Sequence, residues 1–423
     1  MNIIINLYIS IWSALAIGYL EKIPKPKYTL NQEYKAFVRY DQNTILLPYQ
    51  ESSFNGFHVA MENLIAGRQQ KLNVVHIGDS HIQADYFSGQ VRTHFNEEDL
   101  LGNGGRGYFF PASMAKSQNA FNLKVSYVGN WQGCKNVDLQ QSCSWGLGGM
   151  TATSYDQNAQ FTIDPNSRTA NSYPISKIRI YYPVDNPNSF YINLITPQGL
   201  VAPNRLNADG YAEFYLDEPQ KSVTFQLEKK FAHQNVFVLE GIALSNHDAG
   251  VQYHAVGVNG ATVYSFLKAP KLEKHLQSLN PNLVIISLGT NDAYSSYFDG
   301  EAFKLNYARL IQRIKAACPQ SSILLTTPAD CALPGGIANP SNKAARQKII
   351  ELAEESDCAV WDLFTIMGGF GSSQKWFSNQ LSAADRVHFT KKGYDLQGDL
   401  LYDALIQNYA EYCLLKAQAS DMR

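Results

Sequence analysis

Residues 73–89 read NVVHIGDSHIQADYFSG, and the division of this stretch decides the fold. Its first half is apolar and β-branched. It breaks at Gly78-Asp79-Ser80 and continues with helical spacing. A buried strand that turns directly into a helix is the repeating unit of an α/β sheet. Ser80 at that turn has two readings. One is an N-cap that satisfies a free N–H at the helix start. The other is a nucleophile held at a helix N-terminus. The rest of the chain has to separate them.

Outward from this unit the periodicity changes twice. Residues 56–70 have helical spacing, LNVVHIG reads as a strand, and SHIQADYFSGQVRTHFNEE reads as one helix. Between about residue 100 and about residue 246, short alternating runs such as KIRIYYPV, SFYINLIT and SVTFQLEKK are separated by Asn, Pro, Gly and Asp clusters. That pattern predicts an antiparallel β-sandwich. The α/β rhythm then returns. VQYHAVGVNG, NLVIISLGTND, SSILLTTPAD and CAVWDL are strands, with helices over 261–279, 301–317, 342–356 and 391–416. The expectation is a doubly wound, five-stranded parallel sheet of flavodoxin-like type, interrupted by the sandwich between its first and second strands. The ends of the insert are expected near the Ser80 edge of the sheet. The chain divides as 1–22, 23–99 (α/β, first part), 100–246 (insert) and 247–423 (α/β, second part).

Bulk properties narrow the class. The 423 residues are 45% hydrophobic and 17% charged, which is a globular composition, and the formal net charge of −2 offers no global basic field for nucleic acid. The 25 Tyr and 21 Phe suit a β-rich or sugar-contacting surface. Residues 1–22 are apolar up to Glu21 and contain the small-x-small pattern Ala14-Leu15-Ala16. They are expected to be a signal peptide or, if uncleaved, a membrane anchor, and the protein is expected to be exported: periplasmic, secreted or membrane-anchored. Of the six cysteines, Cys134 and Cys143 lie close together in a loop-like segment and pair in an exported chain.

The chemistry-bearing residues sit where strands end, which is where open α/β sheets bind ligands. Strand one ends in Gly78-Asp79-Ser80, strand two in Gly257-Val258-Asn259-Gly260 and strand three in Gly289-Thr290-Asn291-Asp292, while ADRVHFTKKGY carries Asp385 and His388 before the last helix. Serine becomes a nucleophile when an imidazole takes its proton, and His388 is the candidate base. Asp385, three residues earlier, can hold the other ring nitrogen. The N–H of Ser80, the N–H of Gly260 and the side-chain amide of Asn291 are candidate donors to an oxyanion. Asp79, His81 and Asp85 have no spacing that requires them to converge on an ion, so no metal and no cofactor are expected. His58, His76, His94, His247, His254 and His275 read as packing or surface residues.

The ordered set GDS, GxNG, GTND and DxxH resembles the SGNH (GDSL-type) hydrolase superfamily, with Ser80, Gly260, Asn291 and His388 on its four named positions and Asp385 completing a triad. Gly260 is preferred over Gly257 because it directly precedes the Ala261-Thr262 helix start. HIGDSHIQADYFSG, GNGGRGYFFP and HAVGVNGAT further resemble the bacterial branch that contains peptidoglycan O-acetylesterases. That branch inserts a carbohydrate-binding-module-like domain after the first block. The resemblance implies a serine esterase that removes O-acetyl groups from a carbohydrate, O-acetylated peptidoglycan first. Two other readings stay open: acetyl transfer to a sugar hydroxyl by the same triad, and a non-catalytic glycan-binding surface protein. Within the insert, the glycine-rich loop from Trp145 to Tyr155 is the expected glycan contact, and Arg106 is expected near the mouth of the site.

Overall fold

The computed structural model describes residues 22–421 apart from 31, 49–50, 169–171 and 296. The expected signal or anchor segment therefore lies almost wholly outside the described residues.

The first α/β unit is helix α1 (Asn55–Ile65), strand β1 (Lys71–Gly78), a single helical turn α2 (Ser80–Gln83) and helix α3 (Phe87–Glu97). After the insert come β2 (Gly250–Gly257), α4 (Val263–Leu267), α5 (Leu272–Leu279), β3 (Leu283–Ser287), α6 (Thr290–Ala293), α7 (Gly300–Ala317), β4 (Ser322–Thr326), α8 (Pro340–Glu355), β5 (Ala359–Trp361) and the long α9 (Lys391–Asp421). The five strands pair in parallel in the order β2-β1-β3-β4-β5. Among the described residues the sheet is nevertheless mixed and six-stranded, because Ile45–Leu46 adds an antiparallel edge to β5. Two residues are too few for a period-two pattern to announce a strand, so the sequence reading missed it.

Both faces of the sheet are covered, which explains why its strands read as largely apolar runs. Val75, Ile77, Val284 and Ile286 face a core shared with α4, α5, α7, α8 and the insert. Leu72, Val74, Leu283 and Ile285 face a second core under α1, α3 and α9. His76, fully buried on β1, stays in the sheet by bonding Tyr253 Oη at 2.7 Å and Ser287 Oγ at 2.6 Å. Burial pushes its pKa down to about 3, so the ring is neutral.

Two expected helices are broken. The run after Ser80 is two helices because Asp85 takes φ 58°, in the left-handed region. The run over 261–279 divides at Pro270, which cannot continue an N–H ladder.

Among its described residues the insert is organised as three antiparallel sheets. One has five strands in the order Gly199–Val201, Tyr191–Thr196, Val223–Glu228, Gln160–Asp164 and Lys124–Val128. The second has Arg205–Asn207, Tyr211–Gln220, Ile175–Tyr181, Gly241–Ser245 and Gly107–Phe109. The third joins Phe237–Leu239, Met150–Ser154 and Gln132–Lys135. Phe214 and Phe225 meet between the first two sheets, with ring centres 5.4 Å apart. The ends of the insert do not emerge beside Ser80. Asn103 bridges Val251, and Gly250 pairs with Lys71, at the opposite edge. The reason is simple: α3 runs back across the sheet before the insert begins.

Candidate active site

Ser80 is placed by close backbone approach at the end of β1. A Cβ on Gly78 would lie 2.3 Å from Ile82 Cγ1 and 3.0 Å from Ser287 O, so only glycine lets β1 turn there against β3. Asp79 caps the turn, its Oδ1 accepting the His81 N–H at 3.0 Å. On the far side of the cleft a tight turn precedes α9. Asp385 Oδ1 accepts the N–H groups of Val387 and His388, both at 2.9 Å, and Oδ2 faces His388 Nδ1 at 2.8 Å. His388 Nε2 then lies 2.9 Å from Ser80 Oγ. With Nδ1–H donating to the carboxylate, Nε2 presents its lone pair to the serine hydroxyl. Burial pushes the Asp385 carboxyl up, but the hydrogen bonds from His388 and Val387 outweigh it and hold it below the usual range.

The other candidates come to the same cleft, of about 500 Å³, lined by Ser80, Gly260, Asn291 and His388. The two glycines differ in the space around them. A Cβ on Gly257 would meet Gln83 N at 2.0 Å, so that residue is glycine for packing. Gly260 has φ 78° with open space where a Cβ would stand. Asn291 Nδ2 donates to Ala261 O at 3.0 Å and to Asp79 Oδ2 at 3.2 Å, so one of these two bonds must be given up when the amide turns to an oxyanion. A larger cavity, of about 690 Å³, opens at the N-terminal edge of the sheet beside Asn282, Ser322 and Asp357, and holds none of these groups.

Two carboxyls flank Asn291: Asp79 is buried and Asp292 is partly buried. Burial raises both Asp79 and Asp292 to about 7, against the hydrogen bonds from His81 N–H and Val263 N–H respectively. A carboxyl whose folded pKa is raised favours the folded state below the unfolded value, and this contribution is lost as pH rises through the folded one. Asp79→Asn carries no such loss. Its melting temperature relative to wild type should therefore rise steadily between about pH 4 and pH 7, which a series of thermal melts checks. A flat difference would mean that Asp79 is ionised at low pH in the fold. His81 is partly buried beside the pair, its Nδ1 2.8 Å from Tyr394 Oη and its ring 5.3 Å from that of His388. Burial lowers its pKa to about 3, so it forms a neutral wall beneath the His388 ring.

Three expectations fail. Arg106 is not at the mouth of the cleft: it is 1% exposed and paired with Asp85 at 2.8 Å. Trp145 is 2% exposed, its Nε1 donating to Cys134 O, and cannot meet a polymer. The glycines after it serve packing, since a Cβ on Gly146 would collide with His275 and one on Gly149 with Asn136. Tyr155 remains exposed. Cys134 and Cys143 do form a disulfide. Among the described residues no group of three or more His, Cys, Asp or Glu is placed to hold a metal ion. Asp79 and Asp85 are instead turned to Asn291 and to two arginines. The sequence reading missed Gln83, whose side chain reaches both the Gly260 turn and the insert. It lay inside the quoted stretch, but nothing local marks an amide that bonds at long range.

Residues 226–396 match the model of the GDSL-like Lipase/Acylhydrolase family. The match begins inside the insert, at its Val223–Glu228 strand, so it takes in Gly260, Asn291, Asp385 and His388 but not Ser80. A solved structure described as a peptidoglycan O-acetylesterase aligns with a TM-score of 0.72 at 21% identity, over 86% of this chain and 99% of its own. A lipase/acylhydrolase from Enterococcus faecalis aligns with a TM-score of 0.31 at 22% identity, over 37% of this chain and 77% of its own. An acetyl xylan esterase aligns with the same score and identity, over 37% of this chain and 81% of its own. No curated protein matches the sequence. Residues 226–396 thus carry the likeness to a GDSL-like lipase/acylhydrolase domain, and the chain as a whole shares the fold of the structure described as a peptidoglycan O-acetylesterase.

Proposed function

We propose that the protein is a serine esterase that removes O-acetyl groups from a carbohydrate, with O-acetylated peptidoglycan as the preferred substrate. The observation that carries the reading is the continuous hydrogen-bonded chain from Ser80 Oγ through His388 to Asp385 in an open cleft. Ser80 Oγ attacks the acetyl carbonyl as His388 Nε2 takes its proton. The resulting oxyanion is received by the N–H groups of Ser80 and Gly260 and by the Asn291 amide. The C–O bond to the sugar breaks, and His388 returns the proton to the departing hydroxyl. Water, activated by the same imidazole, attacks the acetyl-serine and releases acetate.

Peptidoglycan is chosen on the motif resemblance and on the fold shared with the peptidoglycan O-acetylesterase structure. We also infer export, the reading of residues 1–22 that the Cys134–Cys143 pairing supports. The test is acetate release from O-acetylated peptidoglycan, with acetylxylan and p-nitrophenyl acetate alongside. The expected result is the highest kcat/KM on peptidoglycan. Higher turnover of acetylxylan would move the substrate, and no acetate from any of the three would end the esterase reading.

The Asn291 amide is assigned to charge that exists only in the transition state, so its loss belongs in kcat. Asn291→Ala should lower kcat by about 10²- to 10³-fold, or ~2.7–4 kcal/mol, with KM changed little. A change confined to KM would remove Asn291 from the oxyanion site.

A further inference from the structure

Gln83 stands three residues after Ser80, at the end of α2, and is 7% exposed. All of its amide is used, and on two different parts of the chain. Oε1 accepts the Asn259 N–H at 2.6 Å. Nε2 donates to Ser117 Oγ at 2.8 Å and to Gln118 O at 2.7 Å. Asn259 is the neighbour of Gly260, and Gln118 lines the cleft beside Ser80. The segment after Gln118 is tied to the same unit: the Phe121 N–H donates to Ala84 O at 3.1 Å, and the Phe121 ring stacks on Tyr86 with centres 4.4 Å apart.

We propose that Gln83 is a positioning residue that sets the Gly260 N–H relative to Ser80, and that through it the insert segment Ser117–Gln118 holds the oxyanion site in place. This rests on the assignment of Ser80 and Gly260 made above. The turn at Val258–Gly260 has few other restraints on this side: Ala261 N–H bonds back to Val258 O and Val258 N–H to Gly78 O. Gly260 itself has open space on its Cβ side. A backbone free to move there lets a donor drift, and a donor misplaced by about 1 Å loses much of its stabilisation of the transition state. The amide of Gln83 is suited to the task because it offers one acceptor and two donors in a fixed plane. The insert is on this view part of the catalytic frame, joined to it by one buried side chain.

The test compares Gln83→Met and Gln83→Glu with wild type on p-nitrophenyl acetate, in the full chain. Gln83→Met loses all three bonds, and kcat should fall about 10- to 100-fold with KM within about threefold. Gln83→Glu keeps an acceptor for Asn259 but, when ionised, loses both donors. Protonation restores one donor, so the ratio of its kcat to that of wild type should rise as pH falls from about 8 to about 5. A merely structural role moves stability and leaves that ratio flat. If Gln83→Met does not fold, the Gln83→Glu ratio decides alone. Unchanged kcat in a folded Gln83→Met, or a flat ratio for Gln83→Glu, overturns the proposal. Ser80→Ala, run beside them, separates the two levels: full activity there sinks the Ser80 mechanism, whereas its loss with normal Gln83 variants sinks only the role of Gln83.

Discussion

Ser80→Ala is expected to lower kcat for ester hydrolysis by about 10⁴- to 10⁶-fold while moving the melting temperature by no more than about 2 °C. The nucleophile, the base and the orienting carboxylate act as a unit, so removing the attacking atom removes nearly all that the unit supplies. What remains is the acceleration that oxyanion donors and binding give to direct attack by water. Stability should hardly change. The Ser80 side chain makes one hydrogen bond, to a half-exposed His388, and the turn itself is capped by Asp79. Two measurements check this: steady-state kinetics, and labelling by a fluorophosphonate, which wild type should accept and the variant should not. A variant that keeps a tenth of the activity would take Ser80 out of the mechanism. A variant that loses its fold would make Ser80 structural.

The second large effect falls on stability. Asp85, Arg92 and Arg106 are all 1% exposed or less, and one carboxylate serves both guanidiniums. Asp85 Oδ2 meets Arg106 Nη2 at 2.8 Å and also Arg92 Nη2, while Oδ1 lies 3.2 Å from Arg92 Nη1 and accepts from Ser88 Oγ at 2.7 Å. Burial pushes the Asp85 carboxyl up, but Arg106 and Arg92 outweigh it, so it stays ionised below the usual carboxylate range. Asp85→Ala leaves two buried positive charges facing each other without a counter-ion. Breaking a buried pair this way costs about 3–5 kcal/mol, enough to lower the melting temperature by roughly 10 °C or to prevent folding. Arg106 belongs to the first segment of the insert and Arg92 to α3, so this cluster fastens the insert to the helix behind the Ser80 turn. Thermal melts of Asp85→Ala and of Arg106→Met check the assignment. Arg106→Met should be milder, because it leaves the Asp85–Arg92 pair intact. Equal melting temperatures for wild type and Asp85→Ala would show that the charges are hydrated in solution.

The sequence by itself determined what depends on local order along the chain. The run of apolar residues into Gly78-Asp79-Ser80 is a strand turning into a helix, since only that arrangement buries both faces of β1 and exposes Ser80. The strand ends collect Ser80, Gly260 and Asn291, because parallel strands all finish at one edge. Asp385 and His388, three residues apart in one turn, are also a local pair. Only the tertiary structure decided what depends on partners far along the chain. His388 reaches Ser80 across 308 positions, and Gln83 reaches Asn259 across 176. Arg106 looks like a surface group in a glycine-rich loop until Asp85 and Arg92 are seen around it. Trp145 looks like a sugar platform until the strand of Cys134 and the Lys268 side chain cover it. Hydrophobic spacing records which face of a segment is buried, but it carries no information on which distant group a buried polar atom will meet. Such atoms must find a partner, because leaving one unpaired costs about 1–3 kcal/mol, and the packing of the whole chain chooses which partner it is.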